Sequence, residues 1–184
     1  LGVVAVSVAN NHSRDLGDAA YAAMVVRLRE AGLQVLEHGQ PQRVGPLRVT
    51  AWTDLDNNPV PRRVLLRLPL QPTEPPDLAF MHWGREFVTT PGQRERALAD
   101  SLRSAGVPMI VGAHPHRASP RSELLGGLDA LRVYSLGNFV FDQRAPRASG
   151  AVLQISQFEQ GTRALRLIPL PDVFELGRGA APQR

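Results

Sequence analysis

The 184-residue sequence contains no cysteine and no lysine, few aromatic side chains and no long hydrophobic run. The lack of cysteine excludes disulfide bonds and thiolate metal sites, and it fits either an oxidising or a reducing compartment. No apolar stretch approaches the roughly 20 residues that a membrane-spanning helix needs. Aromatic residues make up 5% of the chain, too few to build a stacking platform for nucleic acid.

All 21 basic residues are arginines, and the formal net charge is +4. An excess of positive charge can indicate a polyanionic partner such as nucleic acid. The arginines are scattered, however, and form no run of five or more. We therefore interpret them as a solvated surface and predict no nucleic-acid partner, with a dedicated anion-binding patch as the alternative.

The apolar pattern predicts an α/β fold with a parallel sheet. Strands are predicted at residues 2–9, 34–37, 47–52, 64–70, 78–81, 107–111 and 131–136, and helices at residues 19–31 and 91–105. The first strand is an uninterrupted apolar run, typical of a strand buried on both faces. Together with the helix and the strand that follow, it predicts a βαβ unit with parallel strands.

The other segments are predicted to be less regular. Loops are predicted at residues 39–46 and 54–61, a hairpin from residues 151–158 and 162–168, and a frayed tail at residues 171–184. We therefore expect one domain over residues 1–170. Because the sequence opens inside an apolar strand, we expect this to be the C-terminal part of a domain in a longer protein.

Three polar clusters each come directly after a predicted strand. They are Asn10, Asn11 and His12 after the first strand, His82 after residues 78–81, and His114 and His116 after residues 107–111. In open α/β sheets, ligands bind outside the carboxyl ends of the strands. The three clusters can therefore converge although they are far apart in sequence.

The His114-Pro115-His116 triplet is the most informative of these clusters. Residues two apart in extended backbone face the same side, and Pro115 favours an extended conformation at His114. Both imidazoles then reach a common point, which suits a metal ion or a phosphate. An exposed loop remains the alternative for this triplet, a satisfied core or surface histidine for His82, and a capping cluster for Asn11 and His12.

Several other residues are interpreted as structural. His38 ends the second strand without a matching polar cluster. The loop that begins at Asp54 lacks the spacing of an EF-hand and predicts a plain turn. Trp52 and Trp83 are predicted to pack in the core, and Asn138 to lie in a tight turn from which it supports the site.

Four motifs carry a family resemblance. They are Ala9-Asn10-Asn11-His12 with Asp15 and Gly17, then His82-Trp83-Gly84-Arg85-Glu86, then Gly112-Ala113-His114-Pro115-His116, and last Tyr134-Ser135-Leu136-Gly137-Asn138-Phe139-Val140-Phe141. Their order and spacing over residues 3–142 resemble the CapA family, whose members are linked to poly-γ-glutamate capsule synthesis. The family falls in the calcineurin-like metallophosphoesterase superfamily. The combination is specific, although each motif alone is not.

The resemblance implies a sandwich of two mixed β-sheets flanked by helices, with two divalent metal ions (Mn, Fe or Zn) at the strand ends. It implies Asn11, His82, His114 and His116 as metal ligands, and His12 as the histidine that contacts the scissile phosphate. Asn10 and Asn138 are candidate supporting residues, and Arg14, Arg85 and Arg117, each beside a motif, are candidates for holding an anionic substrate. The family's early aspartates precede the Asn-His motif, so we expect an incomplete metal site and little activity in this chain alone.

Three possibilities remain open at this point. The first is a metal-dependent hydrolase of a phosphoester or a related anionic bond in the full-length protein. The second is a non-catalytic assembly or export component that binds an anionic polymer, with a scaffold carrying a vestigial site as a third possibility. The resemblance further implies other capsule-synthesis membrane proteins as partners, and an extracytoplasmic location with membrane attachment through a segment before this sequence.

Overall fold

The computed structural model describes residues 2–55, 66–67, 69–120, 131–139, 141, 149–158 and 163–170. In chain order the elements are β1 (Ala5–Ser7), α1 (Gly17–Glu30), β2 (Gln34–Leu36), β3 (Pro41–Val44), β4 (Leu47–Thr53), β5 (Leu78–His82), α2 (Gln93–Ser104), β6 (Met109–Ala113), β7 (Leu131–Val133), β8 (Gly150–Gln157) and β9 (Arg163–Leu170).

A five-stranded mixed sheet in the order β3-β4-β5-β6-β7 forms the centre of the fold. Strands β4 to β7 run parallel, and β3 is antiparallel to β4. The predicted α/β class and the βαβ unit are confirmed, because β1 and β2 pair in parallel on either side of α1. The predicted hairpin is confirmed as the antiparallel pair β8-β9. In the described residues, these two pairs form sheets of their own, and an isolated parallel bridge between His38 and Ala51 connects the chain after β2 to β4 of the central sheet.

One face of the central sheet is covered by α2. Successive side chains of a strand point to opposite faces, and on this face Met81 and Ile110 pack against Leu98 and Leu102 of the helix. Both leucines are completely buried, and each contributes about 2 kcal/mol to folding through the hydrophobic effect. Helix α2 thereby fixes β5 and β6, the two strands that end at the histidines.

The opposite face of the sheet is covered by the β8-β9 hairpin. Val49, Met109 and Val111 form an apolar cluster on this side, against which Leu153 and Leu165 of the hairpin pack. The hairpin thus completes the second layer of the core.

Helix α1 packs on the β1-β2 pair through a smaller apolar cluster. Tyr21 and Val25 of the helix contact Val35 of β2. This cluster fixes the end of β1, from which the first polar motif leaves the sheet. Neither helix in the described part of the chain combines the length and the hydropathy needed to cross a membrane.

Two predictions about the strands were wrong. Residues 41–44 were predicted to be loop but form β3, which pairs with β4 across a tight turn at Gly45. Within the predicted strand at 64–70, the described residues 66, 67, 69 and 70 adopt no strand, and the rest lies outside the described residues. Most of the predicted loop at 54–61 and the predicted tail at 171–184 also lie outside them.

Candidate metal centre

The structure brings the three predicted polar clusters to one pocket. His82 is the last residue of β5, and the clusters at residues 10–12 and 114–116 follow the ends of β1 and β6. Together they line a pocket of about 270 Å³, with Asn10, Asn11, His12, His82, His114 and His116 as its polar lining. The carboxyl ends of these strands lie at the same edge of the fold, which is why residues about a hundred positions apart meet.

Asn11 and His82 form the buried side of this pocket. The Oδ1 atom of Asn11 lies 2.7 Å from Nε2 of His82, and Asn11 is 3% exposed. Burial lowers the pKa of His82 to about 3, assisted by the charges of His114, His116 and His12. The imidazole of His82 is therefore neutral at pH 7, which is the form that binds metal ions.

Asn11 and His82 each bring a possible donor atom to this side of the pocket. Two donors on one tetrahedral metal ion with bonds of about 2.1 Å lie roughly 3.4 Å apart, so the 2.7 Å separation found here is that of a hydrogen bond and would widen on metal binding. The Nδ2 atom of Asn11 is buried without a hydrogen-bond partner in the described part of the chain. A buried amide nitrogen without a partner is uncommon in folded proteins, so this position is unusual.

His114 and His116 bring two further imidazoles to the same point. Their ring centroids are 6.0 Å apart, and that of His114 is 4.9 Å from that of His82. The prediction that His114 is extended was wrong, because its φ is +99° and that of His116 is +59°. Such backbone is strained for residues other than glycine and is concentrated at functional sites. Burial is the main cause that lowers the pKa of His114; the charge of Glu86 opposes it, and the smaller effects of His116 and His12 add to it.

The side chain of His116 is held from behind by Asn138. The Nδ1 atom of His116 lies 2.8 Å from Oδ1 of Asn138, and because this oxygen accepts, Nδ1 carries the proton. Nε2 is thereby left with its lone pair free for a ligand. The ring of His116 also contacts Phe87 and Phe141, with centroid separations of 5.8 and 5.1 Å. This is the contact that the predicted supporting role of Asn138 requires.

The loop that carries both histidines is positioned by an unusually close backbone approach. A Cβ atom on Gly112 would lie 2.0 Å from the carbonyl oxygen of Tyr134, so only glycine fits there. The same carbonyl accepts a buried 2.9 Å hydrogen bond from Nε1 of Trp83. The predicted packing role of Trp83 is confirmed, and the tryptophan links the His82 segment to the strand end beyond β7.

His12 lies at the mouth of the pocket, where its side chain is 65% exposed. Its Nδ1 atom lies 2.8 Å from a carboxylate oxygen of Asp15, and its backbone N–H donates to Oδ1 of Asn10 at 2.9 Å. These contacts hold the ring in place and leave Nε2 as its outward donor or acceptor. A contact between His12 and a substrate remains a prediction.

None of the three candidate arginines is among the residues that line this pocket. Arg14 forms an ion pair with Asp18 and lies 3.8 Å above the ring of Tyr21. Arg85 is exposed and lines a neighbouring pocket of about 320 Å³ beside the start of α2, and Arg117 is partly buried. A substrate-binding role for these arginines remains a prediction.

Glu86 belongs to the second sequence motif, but no role was predicted for it. One ligand atom each from Glu86, His114 and His116 lie within 4.8 Å of one another, so that these three residues form a group able to hold a metal ion. A sequence signal that could have identified Glu86 as a metal ligand is its carboxylate, four residues after His82. The apolar wall formed by Phe80 and Phe141 carried no comparable signal.

The fold and the pocket define a class, namely α/β proteins with an asparagine and histidine cluster at the carboxyl ends of parallel strands. Residues 77–143 match the model of the family described as bacterial capsule synthesis protein PGA_cap. The chain belongs to this PGA_cap/CapA family, as the motifs predicted.

Two relatives support this assignment. The capsule biosynthesis protein CapA of Bacillus anthracis is 31% identical over 206 residues, which cover 92% of this chain and 48% of that protein. The PGA biosynthesis protein CapA of Bacillus subtilis (strain 168) is 40% identical over 95 residues, or 51% of this chain and 24% of that protein. The chain thus spans about half the length of the Bacillus anthracis protein and about a quarter of the Bacillus subtilis protein. No solved structure matches it.

Proposed function

We propose that the intact protein is a metal-dependent hydrolase of a phosphoester or a related anionic bond, working in capsule or poly-γ-glutamate biosynthesis. The observation that carries this proposal is the convergence of Asn11, His82, His114 and His116 on one pocket. The two CapA relatives, a capsule biosynthesis protein and a PGA biosynthesis protein, supply the biosynthetic context. Bound divalent metal ions would supply Lewis-acid activation of water and of the scissile oxygen.

The protein's own residues have separable tasks in this proposal. Asn11 and His82 offer a neutral oxygen and a neutral nitrogen on the buried side, and His114 and His116 offer two nitrogens opposite. His12, fixed by Asp15 at the pocket mouth, exchanges a proton with the leaving oxygen through Nε2. Phe80 and Phe141 exclude water from one wall of the pocket.

Several wider proposals accompany this function. We propose that residues 1–170 are the C-terminal part of one metallophosphoesterase-like domain, in which the β8-β9 pair belongs to the second sheet of a sandwich. The packing of Leu153 and Leu165 against the apolar cluster on one side of the central sheet supports this arrangement. The anionic ligands of a two-metal centre would come largely from the preceding segment. The same segment would attach the protein outside the cytoplasmic membrane, beside other capsule-synthesis proteins.

The test is metal content and phosphodiesterase turnover of the full-length protein, compared with its His114→Ala variant. We expect the variant to lose bound metal, and turnover to fall at least about 100-fold. His38→Asn is the matched control, because Nδ1 of His38 accepts from the backbone N–H of Thr53 at 3.1 Å and the Asn oxygen can replace it. Unchanged metal content and turnover in His114→Ala would rule the hydrolase out. Polymer binding that survives metal chelation, without turnover, would favour the non-catalytic alternative.

A further inference from the structure

Glu86 lies in the loop that follows β5 and faces the loop that carries His114 and His116. The two loops are joined by backbone hydrogen bonds from Trp83 N–H to the Ala113 carbonyl, at 3.2 Å, and from Phe87 N–H to the Pro115 carbonyl, at 2.7 Å. Phe87 directly follows Glu86, so the hydrogen bond from Phe87 to Pro115 fixes the backbone of Glu86 relative to the loop that carries both histidines.

The three donor atoms are near the separation that a metal ion imposes. Ligand atoms of Glu86, His114 and His116 lie within 4.8 Å of one another. Donors in a tetrahedral site with bonds of about 2.0–2.1 Å lie roughly 3.4 Å apart. Glu86 is exposed and has several rotatable bonds, so its carboxylate can close this gap without moving the backbone.

Charge distinguishes Glu86 from the other donors. Imidazoles and an amide bring no negative charge, whereas a divalent cation is stabilised by anionic ligands. Of the nearby carboxylates, Asp15 is engaged by His12 and Glu95 by the backbone N–H of Gly92. In the part of the chain that the structure describes, no hydrogen bond or ion pair engages Glu86.

Backbone strain marks the same two loops. Phe87, His114 and His116 are the three non-glycine residues with positive φ among those described, and each conformation is maintained at a cost of about 1 kcal/mol or more. Across the pocket, the buried Asn11 leaves Nδ2 without a partner. Strained loops facing an orphaned buried amide indicate a centre that is shaped for a ligand.

We propose that Glu86 is a metal ligand, which completes a two-histidine, one-carboxylate subsite with His114 and His116. This inference rests on the proposed metal centre and deepens it, because it assigns the anionic ligand of one subsite to the chain itself. Two histidines and one glutamate leave a fourth position of a tetrahedral ion open for water or substrate.

The test is calorimetric titration of the chelator-stripped full-length protein with Zn²⁺ and, separately, with Mn²⁺. We expect Glu86→Gln, which keeps the shape and removes the charge, to weaken binding of the metal by roughly 10–100-fold. Glu86→Asp should retain most of the affinity. Glu30→Gln is the matched control, because Glu30 is an exposed glutamate at the far end of α1.

Two outcomes separate this inference from the proposed function. If Glu86→Gln binds both metals as tightly as the unmodified protein while His114→Ala does not, the centre stands and the role of Glu86 is overturned. If His114→Ala also binds normally, the metal centre itself is overturned. Circular dichroism of each stripped variant shows whether the fold is retained, and Glu86→Asp provides the affinity comparison should Glu86→Gln be unstable.

Discussion

Acidification should destabilise the metal-free protein through His82. The pKa of this histidine falls from 6.5 to about 3 on folding, first because of burial and then because of the positive charges of His114, His116 and His12. Between pH 6.5 and about pH 3, His82 is protonated in the unfolded chain but neutral in the folded protein. The free energy of unfolding therefore decreases as the pH falls through this window.

The size of the effect follows from the two pKa values. At pH 7.5 the imidazole is neutral in both states, and the contribution of His82 is close to zero. At pH 5 protonation of the unfolded state costs the fold about 2 kcal/mol, and the loss continues to grow down to the folded pKa. This is a large part of the stability of a typical domain, which is ~5–15 kcal/mol.

Urea unfolding followed by circular dichroism, with a chelator present, measures this loss. The comparison is between the unmodified protein and His82→Gln across the range from about pH 7.5 to 5. Subtracting the two curves cancels the other titrating groups, including His114. We expect the unmodified protein to lose about 2 kcal/mol more than the variant. Parallel pH dependences would show that His82 is well solvated in the folded protein, contrary to the buried geometry described above.

Two further predictions concern packing and charge. Gly112→Ala should destabilise the fold by about 3 kcal/mol, because the added methyl group would lie 2.0 Å from the Tyr134 carbonyl oxygen. Urea unfolding should show no such loss for the control variant Gly2→Ala, whose Cβ would meet no atom within 4 Å. Equal stability of the two variants would contradict the close approach at Gly112. Arg94→Ala should lower the free energy of unfolding by about 2 kcal/mol. The substitution leaves the Asp54 carboxylate, which is 3% exposed, without the two 2.5 Å hydrogen bonds that Arg94 donates to it. A double-mutant cycle with Asp54→Asn measures the coupling energy, and a value below ~0.5 kcal/mol would show that the pair is an ordinary surface ion pair.

The elements that the sequence predicted well are those whose signal is local. The apolar run of β1, the helical spacing of α1 and the strand after it define a βαβ unit without help from distant residues. Strand β3 was missed because Pro41 and Gly45 are typical of loops. Pro41 is the first residue of an edge strand, however, where its missing N–H removes no hydrogen bond from the sheet interior.

The meeting of the three polar clusters was also predictable, because it follows from a rule about strand ends rather than from side-chain detail. The arginines were selected only because they neighbour the motifs in sequence. Neighbours in sequence leave a loop in different directions, and Arg14 turns towards Asp18 on the first turn of α1. The position of Glu86 depended on contacts between two loops, which no periodicity in the sequence reports.

The proposed metal ligands of the pocket differ in burial. His82 is fixed by burial and by Asn11, whereas Glu86 is exposed and adjustable. The pKa values of His82 and His114 are both lowered, which favours the neutral form of imidazole that binds metal ions. In the proposed centre, the buried neutral donors on the inner side would fix where a cation sits, and the exposed carboxylate on the outer side would adjust to it.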